Sequence, residues 1–279
     1  MGFTTCAGQD LPVEVPIEAP QSDTWTQKAP GKRKCTDQQS HHPLYTHIRL
    51  SKDWSQRRHT LMAMREKKLQ TAYDFAMAPS RQDEPQKFQF SDARFETAQG
   101  DYCGTRLGSV QFPGIHSVQQ VYDAILFYFS NHEISLSERL GHISVRDDYD
   151  VVDGSVYNYR IISTTDRGVV TETSTLLFPR LSSDGTCGMV VVDTIDEDEL
   201  YPYTPSERVR KDISATAVVT LSPNKDGKMV ATIRQAAFLK IHRPECAISE
   251  IAQRELYDGI LSWGDVMLKT VRSIVYAPH

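Results

Sequence analysis

Two runs of strict alternation, VRKDISATAVVTL (209–221) and KMVATIRQAAFLKI (228–241), flank the turn sequence PNKDG (223–227). A period of two places Val209, Ile213, Ala215, Ala217, Val219 and Leu221 on one face of the first strand. Met229, Ala231, Ile233, Ala237, Leu239 and Ile241 share one face of the second. The Asn, Asp and Gly between them make the pair an antiparallel hairpin. SVYNYRIISTT and VVTETSTLLF form a second such pair around Asp166, Arg167 and Gly168, with Gly168 at the left-handed position. A short apolar run at 188–192 adds a strand, and the aromatics and glycines of 88–112 suit twisted strands. Long strands with one apolar face need a cover, so a large antiparallel sheet packed on one side is expected from about Phe88 onward.

Helices supply the cover. Ser117 and Gln120 form a capping box before Val118, Val121, Tyr122, Ile125, Leu126 and Phe129, which recur at helical spacing, and Asn131 can end that helix. A short helix over 134–140 stops at Gly141. The chain closes on 247–275, about 43 Å of helix at 1.5 Å per residue, with Ile248, Ala252, Leu256, Gly259, Trp263, Met267 and Ile274 along one stripe. Gly259 and Gly264 should weaken it locally.

Hydrophobic residues make up 39% of the 279, low for a chain packed throughout. The tail 1–50, rich in Pro, Gln, Ser, Thr and His, is therefore expected to be disordered, with Lys32, Arg33 and Lys34 as its one basic cluster. A Gly- and Pro-free helical segment follows from Ser51 to about residue 78, capped by Ser51 or Asp53, and Pro79 and Pro85 mark a linker to the domain at 88–279. Its heptad seam is interrupted by Arg65 or Glu66 and by Ala72 or Tyr73, too polar for a basic zipper.

Charge is uneven. The net charge of −5 combines 13 basic against 10 acidic residues in 1–90 with 18 against 26 beyond, and ten of the basic residues lie between Lys32 and Lys68. That segment supports weak, nonspecific contact with nucleic acid and no more. The five cysteines are scattered and odd in number, so neither a disulfide framework nor a zinc site is expected; Cys35 with His41, His42 and His47 lacks finger spacing. There is no run long enough for a membrane span and no secretory leader, and MGFTTC departs from an acylation signal at Phe3 and Cys6. An intracellular protein, cytoplasmic or nuclear, is the expectation.

No nucleotide, metalloprotease or hydrolase signature occurs, no cofactor is implied, and His116, His132, His142 and His242 are scattered. The candidates come from anomalies in the pattern. Lys211 and Gln235 interrupt the apolar faces of the long hairpin, which is how a few polar groups are placed in an apolar binding site. The bland alternatives are a lysine reaching water at a strand end and a glutamine meeting backbone. Arg160 and Glu172 are diagonal neighbours on the other hairpin and read either as a structural ion pair or as ligand contacts. The acidic stretch DTIDEDELYPYTPSERVRKD (193–212) lacks calcium-loop spacing. It reads as a connecting loop whose Tyr201 and Tyr203 fold back as a lid. Trp263, with Met267 one turn on, sits mid-stripe where a large ring can cover the sheet or border a ligand.

Taken together, VYDAILFYFSNHEISLSERLG, YRIISTTDRGVVTETSTLLFPR, VVDTIDEDELYPYTPSERVRKD and SWGDVMLKTVR resemble the START-like proteins abundant in oomycetes. Many of those carry a basic helical segment ahead of the domain. The resemblance covers residues 90–275 and implies an α+β helix-grip fold, a curved antiparallel sheet around the terminal helix and an apolar cavity. It implies no established activity. The expected function is non-catalytic binding of a lipid or similar apolar small molecule. The rivals are a regulatory interaction protein with a filled core and a small-molecule enzyme using the cavity. The oligomeric state is left open.

Overall fold

Eight strands form one antiparallel sheet, in the order β2, β3, β10, β9, β7, β6, β5, β4. In chain order they are β2 (Gln89–Glu96), β3 (Tyr102–Phe112), β4 (Ile143–Val152), β5 (Val156–Thr164), β6 (Val170–Leu181), β7 (Cys187–Thr194), β9 (Val209–Pro223) and β10 (Met229–Ile241). The computed structural model describes residues 42–78 and 89–277. The expectations for the tail up to residue 41, with its basic cluster and Cys35, and for the linker at 79–88 fall outside them.

Both expected hairpins form. Gly168 has φ 74° and Gly227 φ 75°, the left-handed region that only glycine enters without strain. β9 and β10 pair from Ile241 with Lys211 to Met229 with Pro223. β4, an edge strand, was not expected. Its sequence ISVRDDYDVV breaks alternation with a bulge between Asp148 and Asp150. Asp153 and Gly154 (φ 49° and 62°) turn it into β5.

The concave face takes the helices. α2 (Val118–Ser130) starts where Ser117 Oγ accepts from the Gln120 amide at 3.1 Å. α3 (His132–Leu140) begins two residues earlier than expected and ends at Gly141 (φ 72°). Val121, Ile125, Tyr128 and Leu136 from these helices meet Val190, Val192, Val219 and Ile233 of the sheet. Gly188 on β7 is required by this approach, because a Cβ there would stand 2.8 Å from the Tyr122 ring.

The terminal helix is two helices. α4 (Glu250–Asp258) and α5 (Ser262–Val275) are separated at residues 259–261, beside one of the two glycines expected to weaken it. Of the expected stripe Ala252, Leu256 and Met267 are buried, Ile248, Trp263 and Ile274 half-buried and Gly259 exposed, while Val266 and Val271 outside it join the core, so the stripe is met in part. The architecture is an α+β helix grip.

The basic helix is part of the same compact unit. α1 (Trp54–Met77) is capped by Asp53, whose carboxylate accepts from the Gln56 amide. It lies on the outer face of the sheet, opposite the grip. Leu44, Ile48, Leu50, Leu61, Leu69 and Ala72 make a second core there with Leu176, Phe178, Met189, Val191 and Val218. Alternation explains the two cores: Leu177 faces the grip while its neighbours Leu176 and Phe178 face α1. A domain starting near Phe88 would leave this outer face bare.

Candidate functional site

The odd-numbered residues of β9 point into the grip, and Lys211 stands among them above Ile213. Together with Leu239, Ile241, Gly259, Ile260 and Trp263 it lines a cavity of about 20 Å³ under the break between α4 and α5. That is room for about one water molecule. Lys211 has no ion pair or hydrogen bond to another side chain among the described residues, and burial lowers its ammonium to about 8. The residue as a whole keeps part of its surface open to solvent, while its ammonium is desolvated. The break over it is seated on Gly104 of β3, where a Cβ would lie 3.1 Å from Leu261.

Trp263 lies on the other side of this cavity. Its ring meets the fully buried His132 ring edge to face, with centroids 4.6 Å apart, and its carbonyl faces the Tyr128 hydroxyl at 3.5 Å. Met267, one turn on, is packed in the core and does not line the cavity. Gln235 also faces the grip and is buried. Its Nε2 finds no partner among the described residues, but it too lies away from the cavity. Of the eight candidate residues, the structure brings Lys211 and Trp263 together.

Arg160, Glu172 and Tyr201 belong to the opposite face. Arg160 donates to Asp147 at 2.7 Å and stands 3.9 Å from Glu172, which accepts from Arg208 at 2.7 Å. These contacts fit the structural reading of the pair, since a desolvated carboxylate needs cations around it. Tyr201 stacks on Tyr149 with centroids 3.6 Å apart and lies 5.7 Å from the Arg57 guanidinium, so it seals α1 onto the sheet and is no lid of the grip. Tyr203 donates its hydroxyl to the Arg208 carbonyl and sits near the Arg210 guanidinium. It does not line the cavity either.

The acidic stretch is the dock of the N-terminal segment. β1 (Arg49–Leu50) pairs in parallel with β8 (Glu197–Asp198). Asp196 accepts from the Tyr45 hydroxyl at 2.8 Å and the Ile48 amide at 2.7 Å. Arg49 pairs with Glu199 and Arg57 with Asp198. Lys68 contacts Asp193 and also donates to the Leu44 carbonyl at 2.9 Å. Burial pulls the Lys68 ammonium down to about 7, and the charge of Asp196 opposes that shift. Among the described residues, the basic excess of this segment is thus largely met by internal carboxylates.

A further polar group sits inside the grip. His132 and Tyr128 pack on the inner side of Trp263, and Tyr159 lies deeper in the same core with Arg146 3.9 Å above its ring. The spacing of Tyr128 and His132, four apart on consecutive helices, was the only sequence sign of it.

No family model matches the chain, and no curated protein does. Among solved structures it is similar to human STARD10, at 8% identity and a TM-score of 0.44 over 75% of this chain and 80% of that one. Protein Ms6760 from Mycobacterium smegmatis matches at 14% identity and a TM-score of 0.32, over 63% and 92%. The di-domain ARO/CYC BexL from the BE-7585A biosynthetic pathway matches at 12% and 0.34, over 81% and 63%. Among the described residues no helix is long and apolar enough to cross a membrane.

Proposed function

We propose that the domain binds a small amphipathic molecule of lipid type between the sheet and the α4–α5 helices, without catalysis. The apolar body lies against Ile213, Leu239, Ile241 and Trp263, and Lys211 takes an acidic headgroup. One observation carries this reading: an ammonium with no charged partner among the described residues stands in an apolar lining at the edge of the core. A buried cation without a partner is costly, and a ligand anion would relieve that cost. The lining puts no free carboxylate beside Lys211 to serve as a base, because Asp212 is already held by Arg210 and His242.

A cavity of about 20 Å³ cannot hold a lipid chain, so the site opens by moving its cover. The helical ladder is interrupted at 259–261, where short turn bonds such as Ser262 to the Gly259 carbonyl replace it, so the link is the weakest part of that wall. The same small volume favours a second reading, a regulatory protein whose core is simply filled.

Native mass spectrometry of the full chain mixed with an equimolar fatty acid such as oleate separates the two. The binding reading expects a one-to-one adduct that Lys211→Met weakens. The filled-core reading expects only free protein.

A further inference from the structure

His132 is 1% exposed, and neither ring nitrogen has a hydrogen-bond partner among the described residues. The Tyr159 hydroxyl, in a residue with no exposure, is unpartnered too, as is Thr270 Oγ1 on α5, two turns along from Trp263. The His132 ring is walled by Tyr128, Phe129 and Trp263 on the helices, and Arg146, 3.9 Å above the Tyr159 ring, donates to the Phe129 carbonyl and so links the two residues. Each unpaired group carries a desolvation cost that an apolar residue of the same shape would avoid. Stability alone therefore gives no reason for an imidazole and a phenol here.

The chemistry of the group limits its partner. Burial, with the Arg146 charge adding to it, pushes His132 down to about 3, so the ring is neutral and offers one donor and one acceptor. Arg146 is engaged by the Phe129 carbonyl and Asp148, both at 2.7 Å. An acid is poorly matched to this end of the grip, whereas a neutral oxygen that can accept from one side and donate to another fits it. Trp263 touches both this region and the Lys211 cavity, so one ring separates the two polar ends.

We propose that His132 and Tyr159 form a second polar subsite that takes a neutral oxygen, hydroxyl or carbonyl, carried on the apolar body of the ligand held by Lys211. This rests on the binding reading above and narrows its ligand to an acidic lipid that is hydroxylated or oxidised along its chain. Entry to the subsite requires the Trp263 ring to swing aside.

The test uses the full chain with Trp25→Phe and Trp54→Phe, so that Trp263 reports binding. Stearate is compared with stearates hydroxylated at defined positions, for the parent, His132→Leu and Tyr159→Phe. At least one hydroxystearate should bind the parent about tenfold more tightly than stearate, as expected when a buried polar site gains its partner. Both variants should lose that preference yet keep stearate binding, and the ligand-free variants should melt no lower than the parent. If no hydroxystearate is preferred, or if the preference survives in both variants, the subsite is overturned. A lower melting temperature for both variants would mean that a resident water already satisfies these groups, which also overturns it. The wider reading fails separately if stearate and its hydroxylated forms all leave Trp263 emission and the melting temperature unchanged. Should His132→Leu fail to fold, Tyr159→Phe, which removes one oxygen, carries the comparison.

Discussion

Arg57 on α1 grips Asp198 in the acidic loop through two parallel bonds, Nη1 to Oδ1 at 2.7 Å and Nη2 to Oδ2 at 2.9 Å, with both side chains almost wholly buried. Truncating one partner would strand the other charge out of water. Arg57→Ala should therefore cost about 3–5 kcal/mol in chemical denaturation, while the double replacement Arg57→Met with Asp198→Leu should cost much less. Equal losses for the single and the double change would show that the pair is not desolvated.

Deleting residues 1–85 removes more than this pair. Leu61 and Leu69, each worth about 1.5–3 kcal/mol when fully buried, leave together with their partners, and Leu176, Phe178, Met189 and Val191 become exposed. The expected result is a poorly soluble fragment that binds hydrophobic dyes and melts far below the full chain. A fragment melting like the parent would contradict the outer core. Sequence reading had set the domain boundary near Phe88 because α1 carries little apolar periodicity. Two of its five buried residues are Arg57 and Lys68. Their burial depends on carboxylates about 125 to 141 positions away, and no local pattern records that.

A similar logic separates what the sequence made legible elsewhere. The faces of β9 and β10 and the caps of α1 and α2 follow from local signals and are present, whereas the stripe on α5 is met only in part, with Met267 buried and Trp263 and Ile274 half-buried. β4 was illegible because acidic residues and a bulge interrupt its alternation, although the Asp153-Gly154 dipeptide was a usable turn signal. Lys211 is legible as an anomaly on an apolar face and Trp263 as a large ring in the middle of the terminal stripe. Arg160 and Glu172 were anomalies too, but on the outer face, and period-two counting cannot say which face is which. Tyr201 went to α1 because the loop had a dock that local reading did not supply.

Nucleic-acid binding by the basic helix should be weak. Arg57 and Lys68 are buried in ion pairs, and Arg58 forks onto Asp150 at 2.9 and 3.0 Å. Few free cations remain to release counterions, so any affinity for duplex DNA should fall away by physiological salt with a shallow salt slope. Tight, salt-resistant binding of the full chain in a mobility-shift titration would refute this.

Stability should fall on acidification through the buried His132. Its folded state stays neutral down to about 3, while the unfolded ring takes up a proton near its ordinary value of 6.5. The unfolded state binds the extra proton in that window, so stability is full above 6.5 and declines as pH falls towards 3, by about 1.4 kcal/mol per unit. Urea denaturation at several pH values should show His132→Leu flattening the acid limb by that slope relative to the parent. Parallel limbs would mean that the ring protonates in the folded state.

Trp263 borders a space, if a small one, and is only partly buried. Trp263→Ala should consequently cost about 1–3 kcal/mol, below the 3–5 typical of a ring in a dry core. A core-sized loss would favour the filled-core reading.

The most direct test of a ligand-binding grip is Trp263 emission in the full chain with Trp25→Phe and Trp54→Phe, titrated with oleate at constant ionic strength and followed by a thermal melt. Binding under α4 and α5 predicts a saturable change in emission and a melting temperature that rises with ligand concentration, since only the folded state has the site. Lys211→Met should shift the titration to higher concentration by about tenfold or more, the scale of a lost charge-assisted contact. Flat emission and an unchanged melting temperature across oleate, other fatty acids and sterols would contradict it and leave a filled core as the better account.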